Sequence, residues 1–108
     1  VGIDAYIYDS DKTKKFGGIN SDGRSISKEL YLKFIANTNA GDNFQYYWQV
    51  VNTGEVARLS GGLRGGLFLG NEVQWERTLY KGKHWVECFI VQNNTCVARS
   101  GKFFVNIK

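Results

Sequence analysis

The chain has 108 residues, of which 43% are hydrophobic, 15% aromatic and 22% charged. That fits one compact domain with its own core, leaves no room for two, and argues against disorder. The net charge of +4 favours anionic partners but is too small and too scattered to imply duplex nucleic acid, and no apolar run is long enough to span a bilayer.

Proline and methionine are both absent. The chain begins at Val1 without an initiator methionine or a signal-peptide pattern, so it is read as a single domain, residues 1–108, cut from a longer protein.

Residues 3–9 alternate Ile3, Ala5 and Ile7 against Asp4, Tyr6 and Tyr8, the period of a strand with one core face. Residues 10–25 are polar and glycine-containing, a long loop with room for a short strand near Phe16. The Lys12, Lys14 and Lys15 cluster in it reads as a solvated loop. A second strand carries Leu30, Leu32, Phe34 and Ala36 on one face. After a turn cluster at residues 37–43, Phe44, Tyr46, Trp48 and Val50 share the face of a third strand, with Trp48 expected in the core.

Residues 72–80 alternate Val73, Trp75, Arg77 and Leu79 against Glu72, Gln74, Glu76, Thr78 and Tyr80, a strand with one mainly apolar face. Lys81-Gly82-Lys83 is a tight turn, and residues 84–91 form a strand with apolar groups on both faces, as a central strand requires. Asn93 and Asn94 tolerate the positive φ of a two-residue hairpin turn, and residues 103–107 close the domain after a kink at Ser100-Gly101-Lys102. That hairpin pairs Val91 with Cys96 and Cys88 with Arg99. It sets Cys88 and Cys96 on opposite faces, where no disulfide can form. Unpaired thiols favour a cytoplasmic location. About seven short strands and no helix predict an all-β protein, an immunoglobulin-like antiparallel β-sandwich without its disulfide, with a closed eight-stranded barrel as the alternative.

Residues 52–66, from Asn52 through Thr53, Arg58 and Arg64 to Gly65 and Gly66, form a glycine-dense connection after the Trp48 strand. A connection of that length in a small domain has a function or is disordered. Its glycines lack the Gly-Lys-Ser/Thr ending and the strand–loop–helix setting of a phosphate loop. They do allow close backbone approach to an anion, with arginine forks beside it. A plain solvated connection is the alternative. Catalysis has little support: His84 is the only histidine, no two carboxylates pair, and no CxxC or HExxH spacing exists for a metal. Neither an enzyme nor a cofactor is expected.

The run Tyr47-Trp48-Gln49-Val50-Val51-Asn52-Thr53-Gly54-Glu55-Val56-Ala57-Arg58, then Leu63-Arg64-Gly65-Gly66, Glu76-Arg77-Thr78-Leu79-Tyr80-Lys81-Gly82-Lys83-His84-Trp85 and Val97-Ala98-Arg99-Ser100-Gly101-Lys102-Phe103-Phe104, carries a resemblance. It resembles the adenylyl/guanylyl cyclase and SMODS C-terminal sensor domain of bacterial antiphage signalling proteins, most clearly over residues 44–108. The resemblance implies a non-catalytic sensor of a nucleotide or nucleotide-derived second messenger, such as a cyclic nucleotide. The sensor would regulate a fused nucleotidyltransferase, cyclase or effector. The polar positions in the matched motifs are Asn52, Thr53, Arg58, Arg64, Gly65, Glu76, Thr78 and His84, with Arg58 and Arg64 expected on an anion. Two other readings stay open: an immunoglobulin-like interaction or oligomerisation domain using Tyr31, Tyr47 or Phe89, and a carbohydrate-binding sandwich using Trp75 or Trp85.

Overall fold

The computed structural model describes residues 1–52 and 65–108. The described residues form nine strands: β1 (Gly2–Tyr8), β2 (Lys15–Ile19), β3 (Tyr31–Asn37), β4 (Gln45–Val51), β5 (Leu67–Gly70), β6 (Val73–Arg77), β7 (Gly82–Gln92), β8 (Thr95–Arg99) and β9 (Phe103–Ile107). One sheet has the order β2-β1-β3-β6, and the other has β5-β4-β7 with β8 and β9 both paired to β7. All strand pairings are antiparallel. The chain crosses between sheets after β3, returns after β5 and crosses again after β6. This gives the A–B–E and C′–C–F–G pairings of an immunoglobulin-like sandwich. The two strands beyond the expected seven are the short β2 and β5.

The core follows the alternation. Ala5, Ile7, Leu32, Phe34 and Ala36 face inward from the first sheet, and Trp48, Val50, Val86, Cys88, Ile90, Phe103, Val105 and Ile107 from the second. Phe34 and Phe103 meet across the sheets edge to face at 5.7 Å. Trp48 is fully buried, and its indole N–H donates to the Asn71 carbonyl at 2.7 Å, which satisfies the one polar atom such a ring brings inside. A Cβ on Gly70 would stand 2.8 Å from Trp48 Cδ1. Only glycine lets β5 lie this close to the ring.

Cys88 occupies the β7 position from which an immunoglobulin disulfide would reach β3, and β3 offers no cysteine. Cys88 is buried, Cys96 is exposed, and both are free thiols. The hairpin turn has φ of 49° at Asn93 and 61° at Asn94, as a type I′ turn requires. Its register differs from the expected one beyond the second pair. A bulge at Val97 pairs Phe89, not Cys88, with Arg99. Cys88 instead faces the kink, donating its N–H to Ser100 Oγ at 3.0 Å and accepting from the Ser100 N–H at 2.9 Å. The serine side chain thus supplies a ladder bond that the break between β8 and β9 would otherwise lose.

β6 also departs from the simple pattern. Its apolar face, Val73 and Trp75, points outward, because Leu32 on the core face of β3 pairs with Glu76 and the outward Lys33 pairs with Trp75. Gln74 and Glu76 turn inward at this sheet edge, bonded to each other at 2.6 Å.

The connection between β2 and β3 covers the free edge of β9. Asp22 N–H donates to the Phe104 carbonyl at 2.8 Å, Ile26 N–H to the Asn106 carbonyl at 2.8 Å, and Lys108 N–H to the Ile26 carbonyl at 3.0 Å. Ile26 and Ile107 thereby form a parallel bridge, which protects an edge that would otherwise invite pairing with another chain.

Candidate functional site

Three of the residues singled out in the sequence converge at one end of the sandwich. Asn52 follows β4, Glu76 lies one residue before the end of β6 and His84 two residues into β7. Together with Arg77 they line a cavity of about 30 Å3, room for a single water. His84 is 5% exposed and its Nε2 lies 2.7 Å from the Tyr80 carbonyl. A carbonyl only accepts, so Nε2 carries the proton and donates. This bond closes the tight connection between β6 and β7 and fixes the ring.

Thr78 lies next to this group but serves another junction. It is fully buried. Its hydroxyl donates to the Ser27 carbonyl at 2.8 Å and accepts from the Leu30 N–H at 2.9 Å. Its backbone N–H donates to the Leu30 carbonyl at 2.8 Å and its carbonyl accepts from Glu29 N–H at 2.7 Å. The residue clips the segment before β3 to the end of β6. Gly65 is exposed, and its carbonyl accepts from Gln49 Nε2 at 2.7 Å. Thr53, Arg58 and Arg64 lie outside the described residues.

Beyond Arg77 the outer face of the first sheet carries an arrangement that strand-by-strand reading does not reveal. Register sets two rows across four strands. One row runs Lys15, Tyr8, Tyr31, Arg77, and the next runs Gly18, Tyr6, Lys33, Trp75. Trp75 stands edge-on to Tyr8 at 5.0 Å and to Tyr31 at 6.3 Å. Cations lie over the ring faces: Lys12 at 4.6 Å from Tyr31 and 5.0 Å from Trp75, Lys33 at 5.5 Å from Trp75, Lys15 at 3.7 Å from Tyr6, and Arg77 at 5.8 Å from Tyr31. Among the described residues, none of these four cations has a carboxylate partner.

Lys12 reaches this face because Asp9 organises the loop between β1 and β2. The Asp9 carboxylate accepts from Thr13 N–H at 2.8 Å, Thr13 Oγ1 at 2.9 Å and Lys14 N–H at 3.2 Å, and Lys12 itself takes a φ of 61°. Those donors, the Lys14 amide first, hold the Asp9 carboxyl below its ordinary value. The Lys12, Lys14 and Lys15 cluster is exposed, as a solvated stretch would be, and its side chains also lie over aromatic rings.

The opposite outer face, on the second sheet, has a different chemistry. Leu67 and Leu69 are 59% and 58% exposed, and Tyr47, Phe89, Val91 and Cys96 line a shallow groove beside Leu67. Within this face Glu87 is buried and forked by Arg99, Nε to Oε2 at 2.8 Å and a terminal nitrogen to Oε1 at 3.0 Å. Hydrogen bonding to Glu87 raises the Arg99 pKa above its ordinary value. Glu87 is a buried carboxylate whose partner is already in place, which suits a structural role.

Trp75 and Tyr31 were legible singly, as exposed aromatics. What was missed is their grouping with Tyr6, Tyr8, Lys12, Lys15, Lys33 and Arg77. The signal was present in the alternation of β1, β3 and β6, whose outward positions are tyrosine, lysine and tryptophan. Combining them requires the strand order 1-3-6, which the chain order does not give.

Among the described residues, no group of three or more His, Cys, Asp or Glu could hold a metal, and no helix is long and apolar enough to cross a membrane. The family model described as the adenylyl/guanylyl and SMODS C-terminal sensor domain matches residues 1–108. That match includes residues 1–29, where the sequence motifs had carried little resemblance. A search of curated proteins finds no match.

Proposed function

Starting from the fact that the chain belongs to the adenylyl/guanylyl and SMODS C-terminal sensor domain family, we propose that it senses a nucleotide or a nucleotide-derived second messenger. Its occupancy would regulate a fused nucleotidyltransferase, cyclase or effector domain in the cytoplasm. As a sensor domain it is distinct from the catalytic domains of such proteins. The observation that supports the ligand class is the outer face of the first sheet, where Tyr8, Tyr31 and Trp75 stand among Lys12, Lys33 and Arg77.

A nucleobase that stacks on an exposed ring gains about 1–3 kcal/mol, while a lysine displaced from that ring gives up about 0.5–1 kcal/mol. The exchange is favourable, and it frees the ammonium group for a phosphate. Arg77 joins this face to the Asn52, Glu76 and His84 end of the sandwich, so the proposal includes these three as polar neighbours of the ligand. Thr78 contributes only through the buried clip that shapes this end, and Gly65, Thr53, Arg58 and Arg64 are included on sequence grounds alone.

Calorimetric titration with nucleoside phosphates and cyclic mono- and dinucleotides tests the reading. Binding is expected from at least one ligand and weakened in Trp75→Ala and Lys33→Gln. Silence across the panel, or binding unchanged in both variants, would overturn it. A second reading, a protein-interaction or oligomerisation domain, is supported by exposed Leu67 and Leu69 beside Tyr47 and Phe89. A dimer by light scattering that Leu69→Lys dissolves would favour it.

A further inference from the structure

The spread of rings and cations over four strands sets a requirement on the ligand's size. Adjacent strands are about 4.8 Å apart, so Lys15 on β2 and Arg77 on β6, at the two ends of one row, are separated by about 14 Å. A single phosphate cannot serve both. The rings are spread in the same way: Tyr6 with Lys15 over its face at 3.7 Å lies toward β2, and Trp75 with Lys33 at 5.5 Å lies on β6. The surface repeats one unit, an aromatic face with a cation above it, along a line.

We propose that this face binds a single-stranded oligonucleotide, two to four nucleotides of which lie across β2, β1, β3 and β6. The inference rests on the nucleotide reading above and narrows it from a single nucleotide to a strand. Four-stranded sheets that present aromatic rings outward stack about two or three bases of single-stranded nucleic acid, and basic tracks beside such rings follow the phosphates. Trp75, Tyr31 and Tyr8 supply the stacking faces. Lys12, Lys15, Lys33 and Arg77 supply the phosphate contacts, with Lys12 delivered by the loop that Asp9 holds.

Beyond Tyr6 the track runs to a cleft of about 500 Å3 between the β2 edge and the kink after β8, lined among others by Asn20, Ser21, Gly101 and Lys102. Its polar groups give the strand an exit from the sheet. Of the carboxylates nearest the face, Asp9 caps its own loop, and Asp4, one row beyond Tyr6, lines the cleft with its carboxylate bonded to Asn37. A duplex is disfavoured because its bases present no free faces to the rings.

Fluorescence anisotropy with end-labelled oligothymidylate and oligouridylate of one to eight nucleotides tests the proposal on the 108-residue chain. Polyglutamate, duplex DNA and anionic phosphatidylserine vesicles serve as competitors. Affinity is expected to climb with length to about four nucleotides and then level. The logarithm of the binding constant should fall with the logarithm of salt at about −0.7 per phosphate contacted. Trp75→Ala and Tyr31→Phe-then-Ala substitutions at unchanged fold should cost about tenfold for each ring removed, while Lys33→Gln should flatten the salt slope. If a mononucleotide or cyclic dinucleotide binds as tightly as the octamer, the strand inference fails and nucleotide sensing stands. If no nucleotide of any length binds, both fail. Equal competition by polyglutamate or vesicles, with ring variants unaffected, would show a charge-only surface and also sink the inference.

Discussion

Thr78 offers the sharpest test of how the sandwich end is built. Thr78→Val keeps the shape and removes the hydroxyl, which strands the Leu30 N–H and the Ser27 carbonyl that it bonds at 2.9 and 2.8 Å. A buried group left without its partner costs about 1–3 kcal/mol. Thr78 is fully buried, while Leu30 is only partly so and water recovers some of the loss, so the sum is about 2–4 kcal/mol. For a domain of this size that lowers Tm by about 10–20 °C. Thr78→Ser keeps both bonds and deletes one methyl, for about 1 kcal/mol. Thermal and urea unfolding of both variants read the difference directly. If the valine variant were as stable as the serine variant, the clip between the end of β6 and the start of β3 would not be what holds this corner.

Three further outcomes follow from single contacts. Gly70→Ala pushes a Cβ to 2.8 Å from Trp48 Cδ1 and should cost about 1–3 kcal/mol by urea unfolding, with partial recovery in the Gly70→Ala, Trp48→Phe double variant. Burial pushes the Cys88 thiol up to about 11, so a thiol reagent at pH 8 should label Cys96 alone until the protein is unfolded. The sign of the linkage is that the buried thiol's contribution is full below about 9.0, the unfolded value, and is lost as pH rises toward 11. Asp9 runs the other way: its folded pKa is lowered from 3.8, so its contribution is present above that value and lost as pH falls through the lower folded one. Acidification, or Asp9→Ala at neutral pH, should release amide-exchange protection at Thr13 and Lys14. Unchanged protection would remove Asp9 from its role in holding Lys12.

Much of the architecture could be read from period-2 alternation. The inward faces of β1, β3, β4 and β7, Trp48 as a core residue, the Asn93-Asn94 turn and the opposite placement of the two thiols all follow from local pattern. β5 was harder, because four residues after a glycine-rich connection carry too short an alternation. β6 showed a further difficulty. Its apolar face points outward, since Trp75 finds its partners among Tyr8, Tyr31 and lysine stems on the sheet surface and not in the core. The hairpin register slipped for a local reason, the bulge at Val97, which no composition signal marks. Of the site, Asn52, Glu76 and His84 were found as motif positions and do share one cavity. The aromatic–cation face was not found, because it exists only once β1, β3 and β6 lie side by side.

A nucleotide ligand on the outer face of the first sheet is read out by the three tryptophan indole N–H signals in a 15N-labelled NMR titration with nucleotides and short oligonucleotides. Trp75 stands on the proposed face, Trp85 on the opposite sheet, and Trp48 in the core bonded to Asn71. The Trp75 signal is expected to move in a saturable way while that of Trp48 stays in place. Movement of Trp85 with Trp75 unmoved, or no movement at saturating ligand, would contradict it.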